Sequence, residues 1–200
     1  MSTPIEFFFD FASPYGYIAT YRIDDIGARH GREVAWRPYL MGAGFKITGR
    51  KPLVEHPMVN EYAYQDLQRT ACLYDVPFTL PDPFPVATIA ACRAYYWMLD
   101  QDAGAAKQLA RDLYDAYFAQ GRNIANANEV IDIAEAGGID RDALGAALQD
   151  PVIKQRVRDV TDKALERNIF GSPMVIVDGE PFWGVDHLDQ VERWLETGGW

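Results

Sequence analysis

Three short stretches of this chain hold residue types that could act on a small ligand. The first is Ser13-Pro14-Tyr15-Gly16, which follows an apolar run closing at Asp10. Ser before Pro is a preferred helix start, with Ser at the N-cap and Pro in the first turn. A hydroxyl placed there also sits beside free backbone N–H groups and the positive helix end, which favours an anion. Ser13 therefore reads as a cap, as a hydrogen-bond donor to a bound thiolate, or as both. Use as a nucleophile would need a base and an orienting group, and His30, His56 and His187 have no triad-like context. The second stretch is Ser172-Pro173. A cis bond there would expose the main chain of Ser172 to an extended peptide. The third is Asp186, ahead of the last helical pattern. It reads as an N-cap, or as a carboxylate for a ligand ammonium with helix N–H groups beside it for a ligand carboxylate. Asp10 reads as a supporting group behind the site.

Several chemistries are excluded or disfavoured. Disulfide exchange needs an attacking thiolate, and the two cysteines, Cys72 and Cys92, both fall in helical patterns far from Ser13. Neither HxxxH nor CxxC occurs, and there is no Walker loop or GxGxxG, so no metal or nucleotide motif is present. A net charge of −10 argues against nucleic acid. A local basic group, Lys46, Arg50 and Lys51 with Arg37 upstream, leaves room for a small anionic ligand or for a solvated loop. No apolar run is long enough to span a membrane, and the first residues lack the pattern of a secretory signal. Two cysteines make no disulfide framework, so a reducing cytoplasm is the expected location.

The elements that would position these residues follow from periodicity. Residues 5–10 predict a buried strand and residues 33–40 a second one, joined by a helix bearing Tyr15, Ala19, Ile23 and Ile26 on one face. Residues 41–60 are rich in Gly and Pro and predict an irregular loop. Helical faces follow at Tyr64/Leu67/Ala71/Tyr74, Ile89/Cys92/Tyr96/Leu99, Leu109/Leu113/Tyr117 and Ile153/Val157/Val160/Ala164. Two strands, 174–177 and 181–183, flank an Asp-Gly hairpin signal before a last helix bearing Leu188, Val191 and Leu195. Trp183, Phe182 and Tyr39 are candidates for an aromatic pocket wall, or for ordinary core.

FDFASPYGY, GRKP, YAYQDLQR, FGSPM and FWGVDHL, in this order, resemble the 2-hydroxychromene-2-carboxylate isomerases and kappa-class glutathione transferases along essentially the whole chain. The resemblance implies an α/β fold: a thioredoxin-like domain, residues 1–40 plus 165–200, interrupted by an all-helical insertion, residues 41–164. It implies reduced glutathione as cofactor, a small aromatic or anionic substrate, and a homodimer. Ser13 would hydrogen-bond the glutathione sulfur, and Ser172 before a cis Pro173 would pair with the tripeptide backbone. Asp186 and His187 would meet the γ-glutamyl end, with Pro14, Tyr15 and Arg50 completing the site. Where the family commonly reads GNxPP, this chain has Gly49-Arg50-Lys51-Pro52-Leu53, so Arg50 would offer a charge-assisted contact to a carboxylate. A Lys usual a few residues later is replaced by Val59. The implied activity is glutathione-dependent cis–trans isomerisation. The alternatives are a kappa-like transferase or peroxidase, and a non-catalytic thioredoxin-like binding module.

Overall fold

Strand β1 (Ile5–Phe9) is the centre of the molecule, because partners pair along both of its edges. The computed structural model describes residues 3–49 and 51–200, so Arg50 lies outside the described residues. On one edge β1 runs parallel to β2 (Val34–Pro38), after the short helices α1 (Pro14–Thr20) and α2 (Ile23–Arg29). Helices α3 (Met41–Thr48), α4 (Val59–Leu73), α5 (Ile89–Leu99), α6 (Ala103–Phe118), α7 (Ala127–Ala136), α8 (Arg141–Gln149) and α9 (Pro151–Glu166) follow. The chain then returns as β3 (Met174–Val177), β4 (Glu180–Trp183) and α10 (Leu188–Thr197). The sheet order is β2-β1-β3-β4, with β3 antiparallel to both β1 and β4.

A strand covered on both faces needs apolar residues at every position rather than at alternate ones. Ile5, Phe7 and Phe9 face the larger core, against Trp36, Tyr95 and Tyr114. Phe8 faces a smaller one, with Tyr39, Ala164, Ile169 and Met174. Glu6 shares that second side and is held by Arg37 and Arg167 at its edge. The Asp178-Gly179 turn joins β3 to β4 with φ of 52° and 95°, the left-handed pair that a two-residue hairpin requires.

Three sequence expectations are corrected. The helix read through Tyr15 to Ile26 is two helices, broken between Thr20 and Ile23. Residues 41–60 are not an irregular loop: α3 occupies Met41–Thr48 and a 3-10 turn occupies Leu53–Glu55. The glycines of α3 are tolerated because the helix start is secured from afar, the Asp10 carboxylate accepting the Met41 N–H at 2.7 Å. Gly44 also lets Leu165 approach, since a Cβ there would lie 3.0 Å from its side chain. Finally, Asp186 does not cap the last helix. It lies in a 3-10 turn, Val185–His187, and His187 takes the cap position without a side-chain cap bond.

Asp10 joins these parts. Its carboxylate accepts the Ala12 N–H at 2.9 Å, the Thr88 hydroxyl at 2.7 Å and the Met41 N–H. Its main chain donates to Ser172 Oγ and accepts from the Tyr114 hydroxyl. Asp10→Asn would point an amide N–H₂ at a backbone N–H whichever way the amide turned. The expected cost is about 1–3 kcal/mol, read by urea unfolding; an unchanged midpoint would remove Asp10 from this role. The Glu6 carboxyl is held below its usual 4.5 by the Arg167 hydrogen bond, against the opposing effect of burial. A lowered folded-state pKa adds stability above the usual carboxylate range that is lost as pH falls through the folded value. Glu6→Gln should therefore cost up to about 1 kcal/mol near neutral pH, given the half-exposed arginines. Its deficit against the parent should close in acid, and a deficit independent of pH would contradict this.

Candidate functional site

The end of β1 carries the chain into a turn that places Ser13 at the N-cap of α1, with φ −93° and ψ 112°. Its Oγ accepts the Gly16 N–H at 3.1 Å, so the capping expectation is met. The same hydroxyl donates to the Ser172 carbonyl at 2.9 Å, which ties residues 159 positions apart. The Ser172–Pro173 bond is cis. Ser172 Oγ in turn accepts the Asp10 N–H at 3.0 Å, and the Pro173 carbonyl accepts the Gly184 N–H at 3.0 Å. That last bond draws the segment bearing Asp186 and His187 to the same place.

Two glycines permit this closeness. A Cβ on Gly16 would lie 2.7 Å from the Tyr114 hydroxyl and 2.9 Å from Ser172 Oγ. A Cβ on Gly171 would lie 2.1 Å from Trp183 Nε1. Tyr114 cannot retreat, because its ring is buried among Phe9, Phe11, Tyr17 and Phe118 and its hydroxyl is bound to the Asp10 carbonyl.

These residues border a cleft of about 890 Å³, near the upper end of the roughly 300–1,000 Å³ range of small-molecule sites. Ser13, Pro14, Tyr15, Ser172, Asp186 and His187 all line it. Pro173 is set just behind Ser172. Apolar residues from other segments also line it, among them Phe45, Leu53, Val54, Leu67, Phe84 and Val86. Of the basic group, Lys51 lines the cleft and its carbonyl contacts His56 Nε2 at 3.1 Å, whereas Arg37 is drawn to Glu6. Trp183 stands at the rim against Phe170, while Phe182 and Tyr39 are buried core, the latter bound to the Gly171 carbonyl.

The electrostatics divide the cleft. The Tyr15 hydroxyl donates to Asp66 at 2.6 Å, and Arg69 donates to the other oxygen of that carboxylate. Burial, then Asp66, raises the Tyr15 pKa, so the phenol keeps its proton. At Asp66 burial alone would raise the pKa, but the bonds from Tyr15 and Arg69 outweigh it and lower the carboxyl. Burial pushes the Asp10 carboxyl above its usual 3.8, against the pull of its three donors. The Asp186 carboxylate is 78% exposed, and its Oδ1 lies 3.4 Å from His187 Nδ1.

Neither cysteine lines the cleft: Cys92 is buried with its thiol pushed up by burial, and Cys72 is exposed elsewhere. Among the described residues there is no cluster of metal-ligating side chains, and no helix is long and apolar enough to cross a membrane. Asp66, Thr88, Tyr114 and Phe84 had no assigned role in the sequence. Tyr62, Asp66 and Arg69 do fall on one helix face by their spacing, and that was an available signal.

Comparison with known proteins agrees with this fold. The family model described as DSBA-like thioredoxin domain matches residues 4–196. The chain is 30% identical over 197 residues to a 2-hydroxychromene-2-carboxylate isomerase of Sphingobium xenophagum, covering 98% of this chain and 99% of the relative. It is 24% identical over 204 residues to glutathione S-transferase kappa 1 of Caenorhabditis elegans, covering 96% and 90%. A solved 2-hydroxychromene-2-carboxylate isomerase shares the fold with a TM-score of 0.87 at 23% identity, over 97% of this chain and 95% of that one. The chain belongs to the DSBA-like thioredoxin domain family and to the family of the 2-hydroxychromene-2-carboxylate isomerases, and it is similar to the kappa-class glutathione transferases.

Proposed function

We propose that this protein is a glutathione-dependent cis–trans isomerase of the 2-hydroxychromene-2-carboxylate type, serving aromatic-compound degradation. One observation carries the reading: Ser13 meets Ser172–Pro173 at the floor of a cleft that no cysteine of the chain lines. Sulfur chemistry there requires a sulfur brought in by a ligand. The isomerase relative at 30% identity supports the reaction class.

The residues present fit a γ-glutamyl tripeptide. On this reading the main chain of Ser172 would pair with its backbone once Ser13 releases the Ser172 carbonyl, and Asp186 with His187, which line the cleft, would meet its amino-acid end. Pro14 and Tyr15 frame the entry to Ser13, and Arg50, outside the described residues, is assigned to a ligand carboxylate. The chemistry supplied by bound glutathione is reversible thiolate addition to an unsaturated carbon, which lets a double bond become single, rotate and reform with the thiol regenerated. Ser13 donates its hydroxyl proton toward the sulfur, stabilising the anion and orienting it. The apolar wall of Phe45, Leu67 and Phe84 holds the aromatic ring of the substrate and excludes water. A cytoplasmic homodimer completes the proposal, with two unpaired cysteines suiting a reducing compartment.

The kappa-class relative favours a second reading, in which glutathione is consumed by an electrophile. With reduced glutathione, the purified protein should interconvert the chromene acid and its ring-opened isomer without net loss of thiol. Ser13→Ala should lower kcat/KM by about 10- to 100-fold, the worth of a hydrogen bond to a charged group. Asp186→Ala should weaken glutathione binding in calorimetry by about 2- to 5-fold, as expected of an exposed ion pair. Stoichiometric thiol loss with chlorodinitrobenzene and no isomerisation would establish the transferase reading instead. Undiminished isomerisation by Ser13→Ala would take Ser13 out of the mechanism.

A further inference from the structure

Granting that reading of the cleft, one hydroxyl beside Ser13 has no task for its proton in the free protein. A thiolate held there needs protons to accept, and the neighbouring hydroxyls are committed. Ser13 donates to the Ser172 carbonyl, Tyr114 to the Asp10 carbonyl at 2.8 Å, and Tyr15 to Asp66. Helix α1 has only seven residues, so its dipole is a weak substitute. Ser172 differs. Its Oγ accepts the Asp10 N–H, while among the described residues its own proton goes to no acceptor. The accepted bond fixes the oxygen and leaves only the proton free to turn. Ser172 Oγ and Ser13 Cβ also border one small space, the bare side of Gly16, where an added Cβ would lie 2.9 Å and 3.3 Å from them. Ser172 is partly exposed and lines the cleft.

We propose that the Ser172 hydroxyl is a second hydrogen-bond donor to the bound thiolate, acting beside Ser13. The serine before Pro173 then contributes its side chain to catalysis as well as its main chain to binding. The two donors differ in what they give up. Ser13 must release the Ser172 carbonyl before its proton can reach sulfur, whereas Ser172 breaks nothing. Its donation is available on first contact, and the carbonyl that Ser13 releases becomes free for the ligand backbone.

The rival role for Ser172 is structural, its Oγ satisfying the Asp10 N–H and nothing more. Thr and Val at position 172 share a shape and differ in the hydroxyl, so this pair carries the test even if Ser172→Ala folds poorly. Reduced glutathione would be bound to the parent, Ser172→Thr, Ser172→Val and Ser172→Ala. Ionisation of the bound thiol would be followed by thiolate ultraviolet absorbance across pH. The Thr variant should keep the parent thiol pKa, and the Val and Ala variants should raise it by about one unit, a tenfold loss of thiolate below that pKa. S-methylglutathione, which has no ionisable thiol, should bind all of them alike. Equal thiol pKa values for Thr and Val would overturn the proposal and leave the proposed function standing. Parallel loss of S-methylglutathione binding in Val and Ala would also overturn it, in favour of the structural role. Failure of the parent protein to bind reduced glutathione would overturn both.

Discussion

The rest of the structure depends on how the chain leaves β1. At Asp10 the central strand ends, and within a few residues the protein must start a helix, meet the returning β3 segment and face a cleft. Each of these leaves backbone groups away from water, where an unpaired N–H or C=O costs as much as a lost hydrogen bond. Asp10 resolves most of them together. Its carboxylate serves the turn at Ala12, the start of α3 and the approach to α5, while its main chain binds Ser172 and Tyr114. Burial works against this carboxylate and its donors work for it, so the tie holds only while the donors stay in place. The cleft walls are the segments that Asp10 holds.

The same closeness decides which sulfur chemistry the fold admits. In a CxxC pair the thiol that resolves a mixed disulfide lies one helical turn beyond the first. The position one turn beyond Ser13 is Gly16, and the space beside it is taken by the Tyr114 and Ser172 oxygens. A side chain at 16 would displace a fully buried tyrosine from an aromatic cluster. The packing beside Gly16 therefore leaves no room for the second cysteine of a CxxC pair, beyond the simple absence of cysteine at position 13.

Local features of the sequence were legible where local physics decides them. Phe7, Phe8 and Phe9 announce a strand covered on both faces, Asp178-Gly179 announces a hairpin, and Ser13-Pro14 announces a helix start. All three are present. Features secured by distant residues were not legible. Helix α3 looks like a loop because its glycines disfavour helix and its supporting contact comes from Asp10, some thirty positions earlier. Asp186 looks like a cap because acid before an apolar run usually is one, yet the 3-10 turn after Gly184 leaves it one residue ahead of the cap position, lining the cleft. Asp66 offered only a spacing on α4. Its meaning comes from Tyr15, which a window of sequence cannot place beside it.

One cleft is thus shared by two demands that pull in different directions. On the proposed reading the polar floor of Ser13, Ser172 and Asp186 would hold the thiol ligand whatever reaction follows, and relatives along the full chain include both an isomerase and a kappa transferase. The floor alone does not choose between them. An isomerase must hold its substrate through bond rotation and return the thiol, whereas a transferase must let the thioether leave. On that reading the choice would fall to the apolar wall contributed by α3, α4 and the Phe84-Pro85-Val86 segment. A wall that fits the planar ring on both sides of the rotation favours return of the thiol, because the sulfur stays within reach of the carbon it must leave. On the proposed reading, reaction type would be set by the helical wall and sulfur handling by the strand ends.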